Sequence, residues 1–237
     1  MIMQTCYACQ NPATTKEHIP PQCLFPEVKD TAAGADYRRN LITVTSCAEH
    51  NFRKSGDDEY LLYVLSTNLP ANAIAQTQWT KLKRAIKRRP ALWNSMRSNV
   101  EDVEVMDSHT GKKYKAVQMS LDGIRFQRSL ELIALGVYCH HFGERWEGNI
   151  HVHSDFIAFP HVPNAAEIDA NRVLVFNCAE TIFASLPRYG DNKKVFWYQV
   201  YEPENRFRCL IRLGFYEGCT ATAFLGEIKF EATGSYV

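Results

Sequence analysis

The sequence predicts an α+β protein in two parts: a small N-terminal segment organised by metal, then a larger unit of helices and strands on an apolar core. Three observations lead there. Residues 1 to 56 are dense in Cys, His, Pro and charge but show no sustained apolar period, as expected where a metal rather than a core holds the chain. Beyond residue 57 apolar residues recur every three to four positions in some stretches and every second position in others, so helices and strands are both present. A hydrophobic content of 46% against 22% charged over 237 residues supplies a sizeable core and excludes collagen-like and disordered chains. The net charge of +1 excludes a uniformly cationic coat, so a nucleic-acid partner would have to meet a local patch.

The first part begins with Cys6-Tyr-Ala-Cys9, and Cys47-Ala-Glu-His50 repeats its spacing. Two intervening residues let a tight turn aim both side chains of a pair at one ion, and the two pairs together make a full tetrahedral shell for zinc. Between them stands "KEHIPPQCLFP", where Pro20 and Pro21 keep the preceding residues out of the helical region. Glu17 and His18 are therefore expected on an extended strand, pointing to opposite sides. "NLITV" reads as a second strand starting at Asn40, and "CAEHNFRKS" as the opening of a helix. On such a helix His50 and Asn51 stand about 100° apart. His50 would then serve the zinc while Asn51, with Lys54 and Ser55 on its face, looks toward the strands. Carboxylate and amide oxygens suit a hard ion such as Mg²⁺, imidazole suits a general base, and an ammonium suits a phosphate. Their convergence would be equipment for phosphodiester hydrolysis. Taken singly, Glu17-His18 reads as a surface pair, and Asn40 or Asn51 as a turn or capping residue.

In this order, and framed by the two metal pairs, Glu17-His18 with "IPPQCLF", Asn40 in "NLITV" and Asn51 in "CAEHNFRKSGD" resemble the HNH endonucleases of the ββα-metal fold. The resemblance covers about the first 60 residues. It implies a zinc-stabilised ββα module over residues 1–70, with residues 71–237 as an α+β region that positions substrate or a partner. It further implies His18 as the base that activates water and Asn40 as the residue that holds the loop and orients it. Glu17 and Asn51 would bind a catalytic Mg²⁺ or Mn²⁺ ion, and Cys6, Cys9, Cys47 and His50 structural zinc. Glu17 stands where the family more often has Asp, and His50 where it often has Cys. Members of this family act in restriction, mobile-element movement and antiviral defence. The competing expectation is a non-catalytic zinc-stabilised module that binds nucleic acid or protein without cutting.

For the second part, "EYLLYVLSTNL" reads as a helix capped by Asp57 and Asp58 and stopped near Pro70. "AQTQWTKLKRAIKRR" reads as another, with Trp79, Leu82 and Ile86 inward, ended by Pro90. Its opposite face carries Lys81, Lys83, Arg84, Lys87 and Arg88, which suits either a phosphate backbone or solvent. We assign Lys54, Lys83, Arg84 and Lys87 as the expected nucleic-acid contacts, DNA being favoured over RNA, and a protein partner or a second copy is left open. "VEVMDSHTGKKYKAVQMSL" reads as a hairpin turning near Gly111, and residues Ser120 to Phe142 as a helix with Phe126, Leu130, Ile133 and Val137 inward and Gly143 as its stop. Strands follow in "NIHVHSDFIAF", "KVFWYQVY" and "FRCLIRLGFY", with a helix in "CAETIFASL". His151 and His153 share a strand face, a surface pair being the plainer reading and a second metal or phosphate site the sharper one. His140 and His141 fall in the last turn of their helix. Cys139, Cys178, Cys209 and Cys219 read as core residues. No basic leader with an apolar run opens the sequence, and "LELIALGVY" is too short to span a bilayer, so a cytoplasmic, membrane-free protein is expected.

Overall fold

The computed structural model describes residues 5–31, 34–52, 54–68, 71, 73–88, 90–96, 100–106, 113–157, 163–203 and 207–226. It is a mixed α+β protein. Strand β1 (Thr15–Ile19) pairs antiparallel with β2 (Ile42–Ser46), placing His18 opposite Thr43 and Ile19 opposite Ile42. The two-residue period of a strand then decides what each side chain meets. Glu17 and Ile19 turn inward at 6% and 2% exposure, while Lys16 and His18 turn outward. The segment between the strands buries Leu24 and Phe25, which tie it down as a packed loop.

Helix α1 (Ser55–Thr67) buries every residue from Tyr60 to Ser66, so it is surrounded on all sides. Short helices α2 (Ala73–Thr77), α3 (Trp79–Arg88) and α4 (Pro90–Met96) follow, then the hairpin β3 (Glu101–Met106) and β4 (Lys113–Gln118). Helix α5 (Gly123–Phe142) starts where the Asp122 carboxylate accepts from the Arg125 N–H at 3.0 Å and stops at Gly143, whose φ of 73° needs glycine. After β5 (Asn149–Ser154) and α6 (Ala165–Phe183) come β6 (Phe196–Tyr201), β7 (Phe207–Phe215) and β8 (Cys219–Gly226). They form one antiparallel sheet in the order β5-β8-β7-β6. One sheet face packs toward α5 and the other lies under α6.

A single core runs from Cys6, Ile19 and Val44 through α1 and α5 to Ile211, Leu213 and Ala223. The hairpin and the later sheet thus share their apolar interior across α5. Contact is close at Gly136 of α5, where any Cβ would fall 2.5 Å from Ile19 Cδ1. A second obligatory glycine is Gly214 on β7, because a Cβ there would overlap the Trp197 indole on β6.

Several expectations need correction. No helix opens at Cys47; residues 48 to 52 are turns, and α1 begins only at Ser55, with Lys54 rather than an aspartate at its cap. Strand β2 begins at Ile42, because Asn40 takes a φ of 50°, a left-handed value that strands exclude and Asn tolerates. The expected long basic helix divides at Gln78, whose fully buried amide donates to Leu24 O at 2.7 Å. Trp79 is 39% exposed, and Leu82 and Ala85 are the buried residues of α3. Pro90 starts a helix, a first-turn position at which its missing N–H costs nothing. Cys209 and Cys219 are fully buried and Cys139 partly, but Cys178 is exposed. Among the described residues no helix is long and apolar enough to cross a membrane. The stop at Pro70 and the hairpin turn at Gly111 lie outside the described residues.

Candidate functional site

The knuckle is assembled by backbone bonds on both sides. Tyr7 N–H donates to Thr45 O and Thr14 N–H to Ser46 O, each at 2.9 Å, so the turn holding Cys6 and Cys9 lies along β2. The chain leaving β2 then supplies Cys47 and, one turn later, His50. The four ligand atoms lie within 4.8 Å of one another. Cys9 Sγ is 3.8 Å from Cys47 Sγ, and His50 Nδ1 is 3.4 Å from Cys47 Sγ and 3.6 Å from Cys6 Sγ. A tetrahedron with zinc–sulfur bonds of about 2.3 Å and a zinc–nitrogen bond of about 2.0 Å has edges of roughly 3.5 to 3.8 Å. Three of the six edges are close to these lengths and the rest stay within 4.8 Å, so Cys6, Cys9, Cys47 and His50 can hold a zinc ion, with Nδ1 as the imidazole donor. Burial pushes the Cys9 thiol up to about 11; at Cys47 hydrogen bonds from His50 and the neighbouring thiols outweigh burial and bring it down to about 6. The Cys47 thiolate is thus ready for a cation, and binding would release the proton of Cys9.

Beneath β1 a second cluster forms. The Lys54 ammonium lies 2.7 Å from Glu17 Oε1 and 2.7 Å from Asp58 Oδ1, with Lys54 and Glu17 side chains each 8% exposed. Burial pushes Glu17 and Asp58 up, against the pull of Lys54; burial lowers Lys54, but the two carboxylates outweigh it and raise it. Two carboxylates thus share one ammonium out of water, and burial favours a proton on the acids.

This arrangement corrects two expectations. Lys54 is not a surface contact for nucleic acid, because it is buried between two acids. Glu17, expected to hold a divalent ion, is instead paired with the Lys54 ammonium at 2.7 Å. Glu17 and His18 project to opposite faces of β1, as the strand period requires. Asn51 does face the strands: its Nδ2 donates to Thr15 Oγ1 and Lys16 O, both at 3.0 Å. It staples the turn after the knuckle to β1, one residue short of Glu17. Asn40, expected to hold the loop and orient His18, donates to Asp191 Oδ2 at 2.7 Å and so joins its loop to the later chain. His18 is half-exposed, and burial together with the nearby Arg38 guanidinium holds its imidazole below the usual 6.5.

On α3 the expected basic face is largely engaged. Arg84 forks onto Asp30 at 2.9 and 3.4 Å, Arg88 lies 3.9 Å from Glu59, and Lys81 donates to Cys23 O at 2.6 Å. Lys83 and Lys87 remain exposed. A cleft of about 490 Å³ opens beside His50, lined by Glu49, Asp57, Arg125 and Arg128 among others. Glu17, His18 and Asn51 do not line it. Missed by sequence reasoning were Asp58, which completes the Lys54 cluster, and Arg38, which sits by His18. Asp58 stands four residues after Lys54, a helical spacing that could have signalled the pair.

No family model matches the chain, and neither a curated protein nor a solved structure is significantly similar to it.

Proposed function

We propose that the chain is an HNH-type endonuclease that hydrolyses phosphodiester bonds in nucleic acid, with DNA favoured. The observation that carries this reading is the hairpin itself: a Cys₃His cluster stands where the start of β1 meets the end of β2 and leaves His18 on the outward face, its imidazole held below the usual 6.5 by burial and Arg38. In that state His18 can take a proton from a water molecule. The resulting hydroxide attacks phosphorus in line with the bond to the 3′ oxygen, which breaks; the departing oxygen takes a proton from water, and the imidazolium gives its own to solvent. Zinc, if bound at the knuckle, has all four positions filled by protein and is structural. A Mg²⁺ or Mn²⁺ ion held through Glu17 would have to compete with the Lys54 ammonium for its carboxylate. A role in defence against foreign DNA or in mobile-element movement belongs to the same reading.

A second reading is supported by one observation. With Glu17 committed to Lys54, the chain could use the zinc-fastened hairpin to bind nucleic acid or protein without cutting. Incubating the full chain with plasmid and with single-stranded DNA, in the presence of Mg²⁺, Mn²⁺ or neither, separates the two. Cleavage that disappears in His18→Ala with zinc content and thermal unfolding unchanged supports the nuclease. Its rate should rise with pH through a value below 6.5 and level off near neutrality, because only the neutral imidazole accepts a proton. Cleavage at full rate by His18→Ala contradicts the assignment, and binding without cleavage favours the second reading.

A further inference from the structure

On α3 Arg84 and Arg88 are paired with acids, and a second group of exposed cations gathers where two distant segments meet. The turn Asp36-Tyr37-Arg38-Arg39-Asn40 lies against residues 187–194, "PRYGDNKK", just ahead of β6. Two side-chain hydrogen bonds fasten the seam: Asn40 Nδ2 to Asp191 Oδ2 at 2.7 Å, and Asn192 Nδ2 to Arg39 O at 2.9 Å. Asn40 and Gly190 both take positive φ there, 50° and 108°, so each segment turns sharply at the join. The seam carries Arg38, Arg39, Arg188, Lys193 and Lys194 with Asp36 and Asp191; Arg38 also meets Glu27 at 3.6 Å and Arg188 lies over the Trp197 ring, which leaves Arg39 and Lys193 among its outward cations. Both acids are already engaged, Asp191 by Asn40 and Asp36 by the Arg38 N–H and Arg39 Nε. The Arg39 side chain is 80% exposed, and Lys193 is exposed as well.

Beside these cations stands an aromatic platform. Tyr189, 38% exposed, stacks on Tyr198 at 5.2 Å and 26°, and meets the edge of His141 at 5.1 Å. Backbone bonds in both directions between Tyr189 and Tyr198 hold the ring in place. The seam is also close to the hairpin. Asn40 lies three residues before Thr43, which faces His18, so about 10 Å of extended chain separates them.

We infer that this seam binds single-stranded nucleic acid, with Arg39 and Lys193 on its phosphates and a base stacked on Tyr189, and so leads the strand toward His18. Only the last clause rests on the nuclease reading. Cations alone would fit any polyanion, including an acidic protein or a duplex. The exposed, pre-stacked Tyr189 decides among them, because a duplex keeps its bases inside and a peptide offers few flat rings, whereas every unpaired base has a face to stack.

The test uses the full chain carrying His18→Ala, so that nothing is cut, with a labelled single-stranded oligonucleotide and the matching duplex. The single strand should bind more tightly. Arg39→Glu with Lys193→Glu should weaken binding at least 10-fold at low salt and flatten the plot of log affinity against log salt by about one and a half units, two lost phosphate contacts. Tyr189→Leu should cost roughly 10-fold, and Tyr189→Phe should restore it. Lys83→Glu with Lys87→Glu on α3 should weaken binding less than the seam variant does. Thermal unfolding and zinc content of each variant show that the fold is kept. Salt curves for the seam variant that overlap the unvaried ones, no loss in Tyr189→Leu, or tighter binding of the duplex would each overturn the inference. If the otherwise unvaried protein cleaves DNA while the seam variants cleave with an unchanged KM, the inference falls and the nuclease stands. If the protein neither binds nor cleaves, both fall.

Discussion

Beneath β1, Lys54 lies 2.7 Å from each of Glu17 and Asp58, so its charge is met on both sides. Beneath α6, Arg212 is 2% exposed and reaches Glu180, yet its Nε has no hydrogen-bond partner among the described residues. The same is true of His153 Nε2, Asp155 Oδ1 and Thr222 Oγ1. These residues are neighbours because the sheet register sets His153 opposite Thr222, Thr222 opposite Arg212 and Arg212 opposite Gln199. A polar row therefore crosses all four strands under α6. The expected surface position of His153 is corrected by that cover.

The difference lies in what holds each region. The hairpin is fastened by Asn51, by a shared core and by a Cys₃His cluster able to hold zinc, whereas α6 fully buries only Ala179 and Phe183 and exposes Val173 and Leu174 at 43% and 60%. Each buried polar atom without a partner costs about 1–3 kcal/mol. The hairpin should consequently outlast α6 in any gradual loss of structure, and amide exchange should reach α6 first.

The largest break in that order should come from Cys47→Ser. Zinc contributes on the order of 10 kcal/mol in small metal-organised domains, so losing one ligand should invert the comparison. Amide protection should vanish at β1 and β2 while the sheet β5-β8-β7-β6 keeps its own; protection of the hairpin at wild-type levels would mean that the core alone holds it.

Next in size is Lys54→Met, which leaves two carboxylates facing each other out of water and should cost about 3–5 kcal/mol at pH 7. Arg212→Met should cost less, because Glu180, 57% exposed, returns to solvent. Chemical denaturation of both variants ranks them, and an equal or larger loss for Arg212→Met contradicts the comparison.

A smaller effect concerns acid. Burial, with His151 and Arg172 adding to it, pushes His153 down to about 4 from 6.5. The unfolded chain takes up that proton first, so stability is lost as pH falls from 6.5 toward 4. Asp155 acts in the opposite sense: burial raises it to about 6 from 3.8, so its contribution is complete below 3.8 and lost as pH rises through 6. His153→Gln should therefore lose less stability than the wild type between pH 6.5 and 4, by roughly 2–3 kcal/mol. Parallel stability curves for the two proteins would show that the imidazole does not titrate under α6.

The sequence carried some of this well. The Cys-x-x-Cys and Cys-x-x-His spacings placed four ligands at one point because spacing within a turn fixes direction. Strand alternation likewise put Glu17 and His18 on opposite faces, and the apolar period of α5 picked out Phe126, Leu130, Ile133 and Val137. Pairings through space were not legible. That Lys54 would fill the gap between Glu17 and Asp58 depends on where α1 begins, and the expected helix at Cys47 moved that start by several residues. Strand β8, "CTATAFLG", escaped because its small residues alternate weakly, although the sheet buries nearly all of them. The seam joining Asn40 to Asp191 involves segments far apart in the chain, and each alone reads as an ordinary polar turn.

The central claim is that Cys6, Cys9, Cys47 and His50 bind one zinc ion that fastens the hairpin bearing His18. X-ray absorption at the zinc edge, with elemental analysis of the same freshly purified protein, tests it most directly. One zinc per chain is expected, with three sulfur neighbours at about 2.3 Å and one nitrogen at about 2.0 Å. Folded protein that contains no zinc, or zinc surrounded by oxygen, would contradict the account.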